Sequence, residues 1–404
     1  MSSLTDHAST PGQADAQAGV QIRPAITALP AYVPGARAAG AVKLSSNENP
    51  YPPSAEVVEA ISRAAAGVNR YPEMAADSLV SALAVKHGVE PAQIVAGNGS
   101  VAVLAHVLAA VCESGTPSDV VMPWRSFEAY PITVQVAGGR CVQVPLTVDH
   151  RHDIHALAAA VRPTTKALLV CSPNNPTGTL VTREELEWLL GNVPRSVLVI
   201  LDEAYIEFAR AGAGTEWQAG QAGQEAGGPL AGGATCQAVS SPLEVDDVHD
   251  GIPLIARHPN LVVLRTFSKA YALAGARVGY AVASKEVASA IAATSTPFGV
   301  NSLAGAAALA ALEQEERMRA QVAQLVDERE RMAAALTQTG WVVAESRANF
   351  LWLSSAQNNT AEALGRCRAA NVLVRPFPEG VRISVGDRGE NDALLAALGA
   401  VRGD

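Results

Sequence analysis

The stretch "LVVLRTFSKAYALAGARVGY", residues 261–280, decides the fold. It opens on a continuous apolar run and turns through small and polar residues that carry Lys269 and Arg277. It closes on a second apolar run, "VGYAVA". An apolar run without alternation suits a strand buried on both faces, as in a mostly parallel sheet covered by helices. Lys269 then falls just beyond a strand end, where ligands of open α/β sheets bind. Burial there lowers a lysine pKa and frees a nucleophilic amine for Schiff-base chemistry. A lone lysine after a strand is ordinarily solvated, so its neighbours must decide.

Outward from this stretch the pattern repeats. "QIVAG", "DVVMP", "CVQVPL", "ALLVCSP" and "VLVILDEAY" are further short apolar runs, separated by amphipathic segments. "AEVVEAISRAAA" (55–66) reads as a helix, and "TREELEWLLG" opens with Thr182 and Glu185 at capping-box spacing. Residues 70–285 are therefore α/β and form a large domain. Residues 211–250 interrupt it with a Gly-, Ala- and Gln-rich, then acidic, insertion, expected to be a surface loop. Residues 1–20 read as a disordered tail, and 21–69 as an N-terminal arm that also joins a smaller domain. That smaller α+β domain is completed by 286–404, with a long charged helix closed by Gly340 and strands at "ANFLWL" and "GVRISVG".

Composition narrows the function. The 404 residues hold 49% hydrophobics and a formal charge of −9. Such an acidic chain without a basic stripe argues against nucleic-acid or anionic-membrane partners. No apolar run reaches the length of a bilayer span, and the N-terminal stretch lacks a charged region followed by an apolar one. Five scattered cysteines without a CxxC pair predict a reduced, cytoplasmic protein with no metal site.

Four polar clusters fall at predicted strand ends. "GNGS" (97–100) begins a helix whose free N–H groups attract phosphate, although a plain tight turn reads the same way. "SPNNPTG" (172–178) is rich in turn residues, and "LDEAY" (201–205) ends a strand with two acids. The fourth cluster holds Ser268, Lys269 and Arg277; the serine and arginine both suit phosphate. A Schiff-base lysine with an acidic partner for a ring nitrogen, here Asp202, is the signature of pyridoxal phosphate chemistry.

In that order, "SPNNPTG", "DEAY" and "TFSKAYALAGARVGY" resemble the fold-type I aminotransferases that use pyridoxal phosphate. "LPAYVPG", "KLSSNENP", "RYPE", "ANFLWL" and "VRISVG" extend the resemblance over residues 22–400 and narrow it to the histidinol-phosphate aminotransferase group. The resemblance implies that Lys269 holds the cofactor covalently and moves the substrate proton, while Asp202 keeps the ring nitrogen protonated. Asn175 and Tyr205 would bond the ring oxygen, and Phe127 would stack on the ring. Gly99, Ser100, Ser268 and Arg277, with Thr266, would bind the phosphate. Tyr71 would reach the cofactor of a neighbouring subunit, which implies a homodimer. Arg382 would clamp the substrate carboxylate, assisted by Asn349, with Arg375 and Tyr32 lining the side-chain end.

The substrate is divided between two readings. Histidinol-phosphate aminotransferases usually carry an acidic pair after the glycine turn, whereas this chain has Val101 and Ala102. That departure, with "WRSFEAYP", "QVPLT" and "PFGVNS", resembles the actinobacterial-type aromatic amino acid aminotransferases. The expected reaction is ping-pong transfer between an aromatic amino acid and 2-oxoglutarate; the alternative is histidinol phosphate. A decarboxylase shares the motifs, and a non-enzymatic regulator would need an appended DNA-binding module.

Overall fold

The computed structural model describes residues 20, 22–29, 38–113, 115–212 and 250–400. Tyr32, the expected tail up to residue 19, and residues 213–249 of the expected insertion lie outside the described residues.

Eleven strands are described: β1 (Val42–Leu44), β2 (Ile94–Gly97), β3 (Asp119–Trp124), β4 (Arg140–Pro145), β5 (Thr165–Cys171), β6 (Leu198–Asp202), β7 (Leu261–Thr266), β8 (Gly279–Val282), β9 (Phe350–Ser354), β10 (Val372–Phe377) and β11 (Gly380–Ser384). The seven apolar runs of the central region become the seven strands of one sheet, ordered β2-β8-β7-β6-β5-β3-β4. Strands β7, β6, β5, β3 and β4 are mutually parallel, and β8 alone runs against its neighbours β7 and β2.

Alternation along each central strand feeds two separate cores. Leu168, Val170, Val199, Leu201, Leu261 and Val263 point to one face. Ala167, Leu169, Leu198, Ile200, Val262 and Leu264 point to the other. The first face packs on the helices Asp77–His87, Arg183–Asn192 and Glu315–Gln338 through residues such as Leu83, Leu189 and Leu325. The second packs on Ser100–Val111, Ala129–Val136 and Lys285–Thr294 through Leu104, Val134 and Ile291. Burial on both sides is why these strands lack polar alternation, each such side chain contributing about 1.5–3 kcal/mol.

A second sheet, ordered β1-β10-β11-β9, joins a strand that precedes the large sheet in sequence to three that follow it. β1 pairs parallel with the first half of β10, while Arg375–Phe377 pairs antiparallel with Gly380–Arg382 of β11. Pro376 therefore sits past the end of β1, where no ladder bond is required of it. β1 delivers the segment 45–49 to the junction of the two sheets: the Ser45 carbonyl accepts from Arg382, and the Asn47 side chain meets Tyr205.

Candidate active site

Because β3, β5, β6 and β7 are parallel, Trp124, Cys171, Asp202 and Thr266 end on one side of the sheet. A cavity of about 230 Å³ opens there. Its large-sheet wall includes Ser100, Phe127, Asn175, Asp202 and Tyr205, then Thr266, Ser268, Lys269 and Arg277 from the opening stretch. Arg375 and Arg382 close it from the small sheet.

Lys269 follows β7 and reaches back across the cavity. Its Nζ donates to the carbonyls of Ser46 at 3.3 Å and Asn47 at 3.2 Å, and lies 5.6 Å from the Tyr205 ring centre. Burial pulls its pKa down to about 7, helped by the charges of Arg382 and Arg277 and opposed by Glu48 and Asp202. A lysine in this state carries a substantial neutral fraction near neutral pH.

At one end the helix Ser100–Val111 begins directly after Gly99, whose φ of +86° favours glycine. A Cβ on Gly99 would come within 2.4 Å of Arg277 Nη2, and one on Gly279 within 2.4 Å of the Ser100 amide. The two glycines thus hold open a cradle between a helix N-terminus and a guanidinium. Arg277 donates to Ser268 Oγ at 3.2 Å and to the Ala274 carbonyl at 2.9 Å. Thr266 Oγ1 donates to Ser268 Oγ at 3.0 Å. Amide, hydroxyl and guanidinium donors converge as an anion requires.

Asp202 ends β6 at the cavity floor, only 6% exposed. Burial raises its pKa; the Tyr130 hydroxyl, the Ala204 amide and the charge of Lys269 oppose that rise. Tyr130 donates to its Oδ2 at 2.7 Å, and the Ala204 amide to its Oδ1 at 3.2 Å. Phe127 lies edge to face with Tyr130, centroids 5.5 Å apart.

Tyr205, three residues beyond Asp202 at the end of β6, is buried with its hydroxyl accepting from Asn47 Nδ2 at 3.1 Å. Asn47 adopts φ 53°, a left-handed conformation that asparagine tolerates. Its carbonyl also accepts from Asn349 Nδ2 at 3.3 Å, and Ser384 Oγ donates to its Oδ1 at 2.9 Å. Arg382 donates to Asn175 Oδ1 at 2.6 Å and to the Ser45 carbonyl at 2.8 Å. Arg375, opposite it in the β10–β11 ladder, pairs with Glu128 at 2.7 Å. Asn349 stands behind Asn47, not on the cavity wall. Tyr71 is elsewhere: it is 84% exposed and stacks on Phe298 at 4.8 Å, lining a separate groove.

This donor set fits pyridoxal phosphate. The cradle matches a phosphate, the buried carboxylate matches a ring N–H, the Phe127 ring offers a stacking wall, and the Lys269 amine suits an aldehyde.

The comparisons agree in family. A model of aminotransferase class I and II matches residues 39–398. The chain belongs to that family. An aromatic amino acid aminotransferase of Streptomyces coelicolor is 45% identical over 380 residues, covering 93% of this chain and 96% of the relative. Another, of Rhodococcus jostii, is 44% identical over 369 residues, covering 91% and 92%. Among solved structures, the histidinol-phosphate aminotransferase from Sinorhizobium meliloti in complex with pyridoxal-5'-phosphate matches with a TM-score of 0.78 at 27% identity, covering 95% of this chain and 97% of that one. The fold is that of the fold-type I aminotransferases, as the resemblance implied.

Within this aminotransferase site, four residues had no role in the sequence reading. Tyr130 sits in "WRSFEAYP", three positions after Phe127, and its N–H donates to the Phe127 carbonyl at 3.0 Å in the turn that leads into the helix Ala129–Val136. Asn47 and Glu48 sit in "KLSSNENP", quoted for its resemblance alone. Glu128 faces Arg375 across the cavity wall. Each contact is tertiary, so only Tyr130 had a local signal.

Proposed function

We propose that the protein is a pyridoxal-phosphate-dependent aromatic amino acid aminotransferase that passes the amino group to 2-oxoglutarate. The observation that carries the substrate choice is Val101, an apolar side chain on the cavity wall beside Ser100. Histidinol-phosphate members usually begin an acidic pair at that point. The relatives at 44–45% identity, named as aromatic amino acid aminotransferases, support the same reading.

Gly99, Ser100, Thr266, Ser268 and Arg277 hold the phosphate. Asp202 holds a proton on the ring nitrogen, Asn175 and Tyr205 hold the ring oxygen, and Phe127 covers a ring face. When bound, pyridoxal phosphate supplies an electron sink that stabilises negative charge developing at the substrate Cα. Lys269 anchors the cofactor and then moves a proton at that Cα. Its depressed pKa suits a base working near neutral pH. Arg382 presents its fork to the α-carboxylate of amino acid and oxo acid alike, while Asn349, behind the cavity wall, assists only by holding the Asn47 carbonyl. Arg375 serves the distal carboxylate of the oxo acid, and Tyr32 the side-chain end. A guanidinium there also suits a phosphate, which favours histidinol phosphate.

Residues 70–285 act as the core of the cofactor-binding domain, since β2 to β8 all fall within them; the boundary expected at 285 comes too early, because the helices Lys285–Thr294 and Glu315–Gln338 pack on that sheet, and β9, β10 and β11 with β1 from the N-terminal arm build the smaller domain. The enzyme is a homodimer in which Tyr71 of one protomer reaches the phosphate site of its partner. Its exposure, with Val68, Met74 and Phe298 exposed nearby, supports this. Scattered cysteines support a cytoplasmic setting. Initial rates measured over a grid of phenylalanine and 2-oxoglutarate test the reading. Parallel reciprocal plots without carbon dioxide release are expected; intersecting plots or released carbon dioxide would refute it.

A further inference from the structure

We propose that Tyr130 is a positioning residue for this reaction: one buried side chain orients both the carboxylate of Asp202 and the aromatic ring of Phe127. The proposal rests on the cofactor reading above.

Tyr130 stands in the first turn of the helix Ala129–Val136 and is 0% exposed. Its two ends meet two different parts of the site. The hydroxyl donates to Asp202 Oδ2 at 2.7 Å. The ring meets Phe127 at an interplanar angle of 83°, an edge-to-face geometry that fixes the tilt of the Phe127 ring. With the Ala204 amide on Oδ1, both Asp202 oxygens are held, so the carboxylate plane cannot turn. Cys171 lies opposite Asp202 in the β5–β6 ladder and packs into the same apolar layer as Tyr130.

The chemistry follows from which group donates. Burial and the neighbouring Asp202 charge raise the phenol pKa well above its usual value, so Tyr130 keeps its proton and donates. Donation favours the ionised carboxylate and opposes the rise in pKa that burial causes. Without the hydroxyl, Asp202 becomes more basic and draws the proton of a ring N–H toward itself. Asp202 would then support less positive charge on a bound ring, and the Lys269 nitrogen would hold its own proton more tightly. The pH midpoint of the cofactor's visible absorbance must then rise.

The test uses Tyr130→Phe, which removes only the oxygen, and Tyr130→Leu, which also removes the edge contact. Both are purified, melted as apoproteins and titrated with pyridoxal phosphate. For Tyr130→Phe, the absorbance midpoint should rise by about half a unit or more. The cofactor dissociation constant should rise about 10-fold, with little change in apoprotein melting temperature. Tyr130→Leu should bind the cofactor more weakly still. On an Asp202→Asn background, Tyr130→Phe should move the midpoint no further. A Tyr130→Phe midpoint equal to the parent's overturns the proposal, whether or not the melting temperature falls, since a structural role alone leaves the midpoint in place. If the parent itself develops no lysine-linked band with pyridoxal phosphate, the cofactor reading has failed and the proposal falls with it.

Discussion

Arg277 fills the space that any side chain on Gly99 would need, with Nη2 2.4 Å from where a Cβ would stand. Gly99→Ala must therefore displace the guanidinium or the start of the helix Ser100–Val111, and it strains a backbone at φ +86°. Losing one charge-assisted donor set weakens phosphate binding by about 10-fold or more. Fluorescence titration of the apoprotein with pyridoxal phosphate measures this. Unchanged affinity would mean that the cradle is not the phosphate site.

Lys269 links the site to stability. Its folded pKa, about 7, lies below the value near 10.5 expected of an unfolded lysine. The unfolded chain thus binds more protons between pH 7 and 10.5, and the apoprotein gains stability as pH rises through that window. Lys269→Met removes the penalty. It should stabilise the apoprotein clearly at pH 7 and hardly at pH 10.5, while abolishing transamination. Denaturant melts at the two pH values decide it; a stabilisation that does not shrink with pH would contradict the burial account.

The Arg375–Glu128 pair separates the two substrates. If Arg375 serves the distal carboxylate of the oxo acid, Arg375→Leu should lower kcat/KM for 2-oxoglutarate by about 10- to 100-fold. The phenylalanine half-reaction should change by about 3-fold or less, since a phenyl ring has no charge to pair. Equal losses for both would leave Arg375 with a structural role.

Residues 213–246 should be dispensable, because the chain flanking them is clasped. Arg210 pairs with Asp250 at 2.7 Å, and Asp250 with Arg265 at 2.7 Å, while Arg265 Nε donates to the buried Glu203 at 2.8 Å. Deleting 213–246 through a short linker should cost under about 1 kcal/mol of apoprotein stability and leave cofactor binding intact. Asp250→Ala strips a partner from two arginines and should cost about 3 kcal/mol. Urea melts that reverse this order would show that the excised segment supports the core.

Much of this was legible in the chain, and the exceptions share a cause. The strands of the large sheet announce themselves because both their faces are buried, which leaves unbroken apolar runs such as "LVVL" and "ALLVC". β1 has only three residues, and β10 carries Arg375 and Pro376, so neither presents such a run. Lys269, Asp202 and Arg277 stand out as polar residues at the edges of apolar stretches. Tyr130 and Asp202 are 72 positions apart, and Asn47 and Tyr205 are 158 apart. No local pattern reports that a phenol or an amide will face a particular oxygen once the sheet has formed.

The most direct measurement follows the cofactor absorbance of the loaded enzyme as L-phenylalanine or L-histidinol phosphate is added without any oxo acid. Phenylalanine should convert the cofactor to its amino form with the higher second-order rate constant. Conversion by histidinol phosphate at a rate orders of magnitude greater would contradict the aromatic assignment and the weight given to Val101.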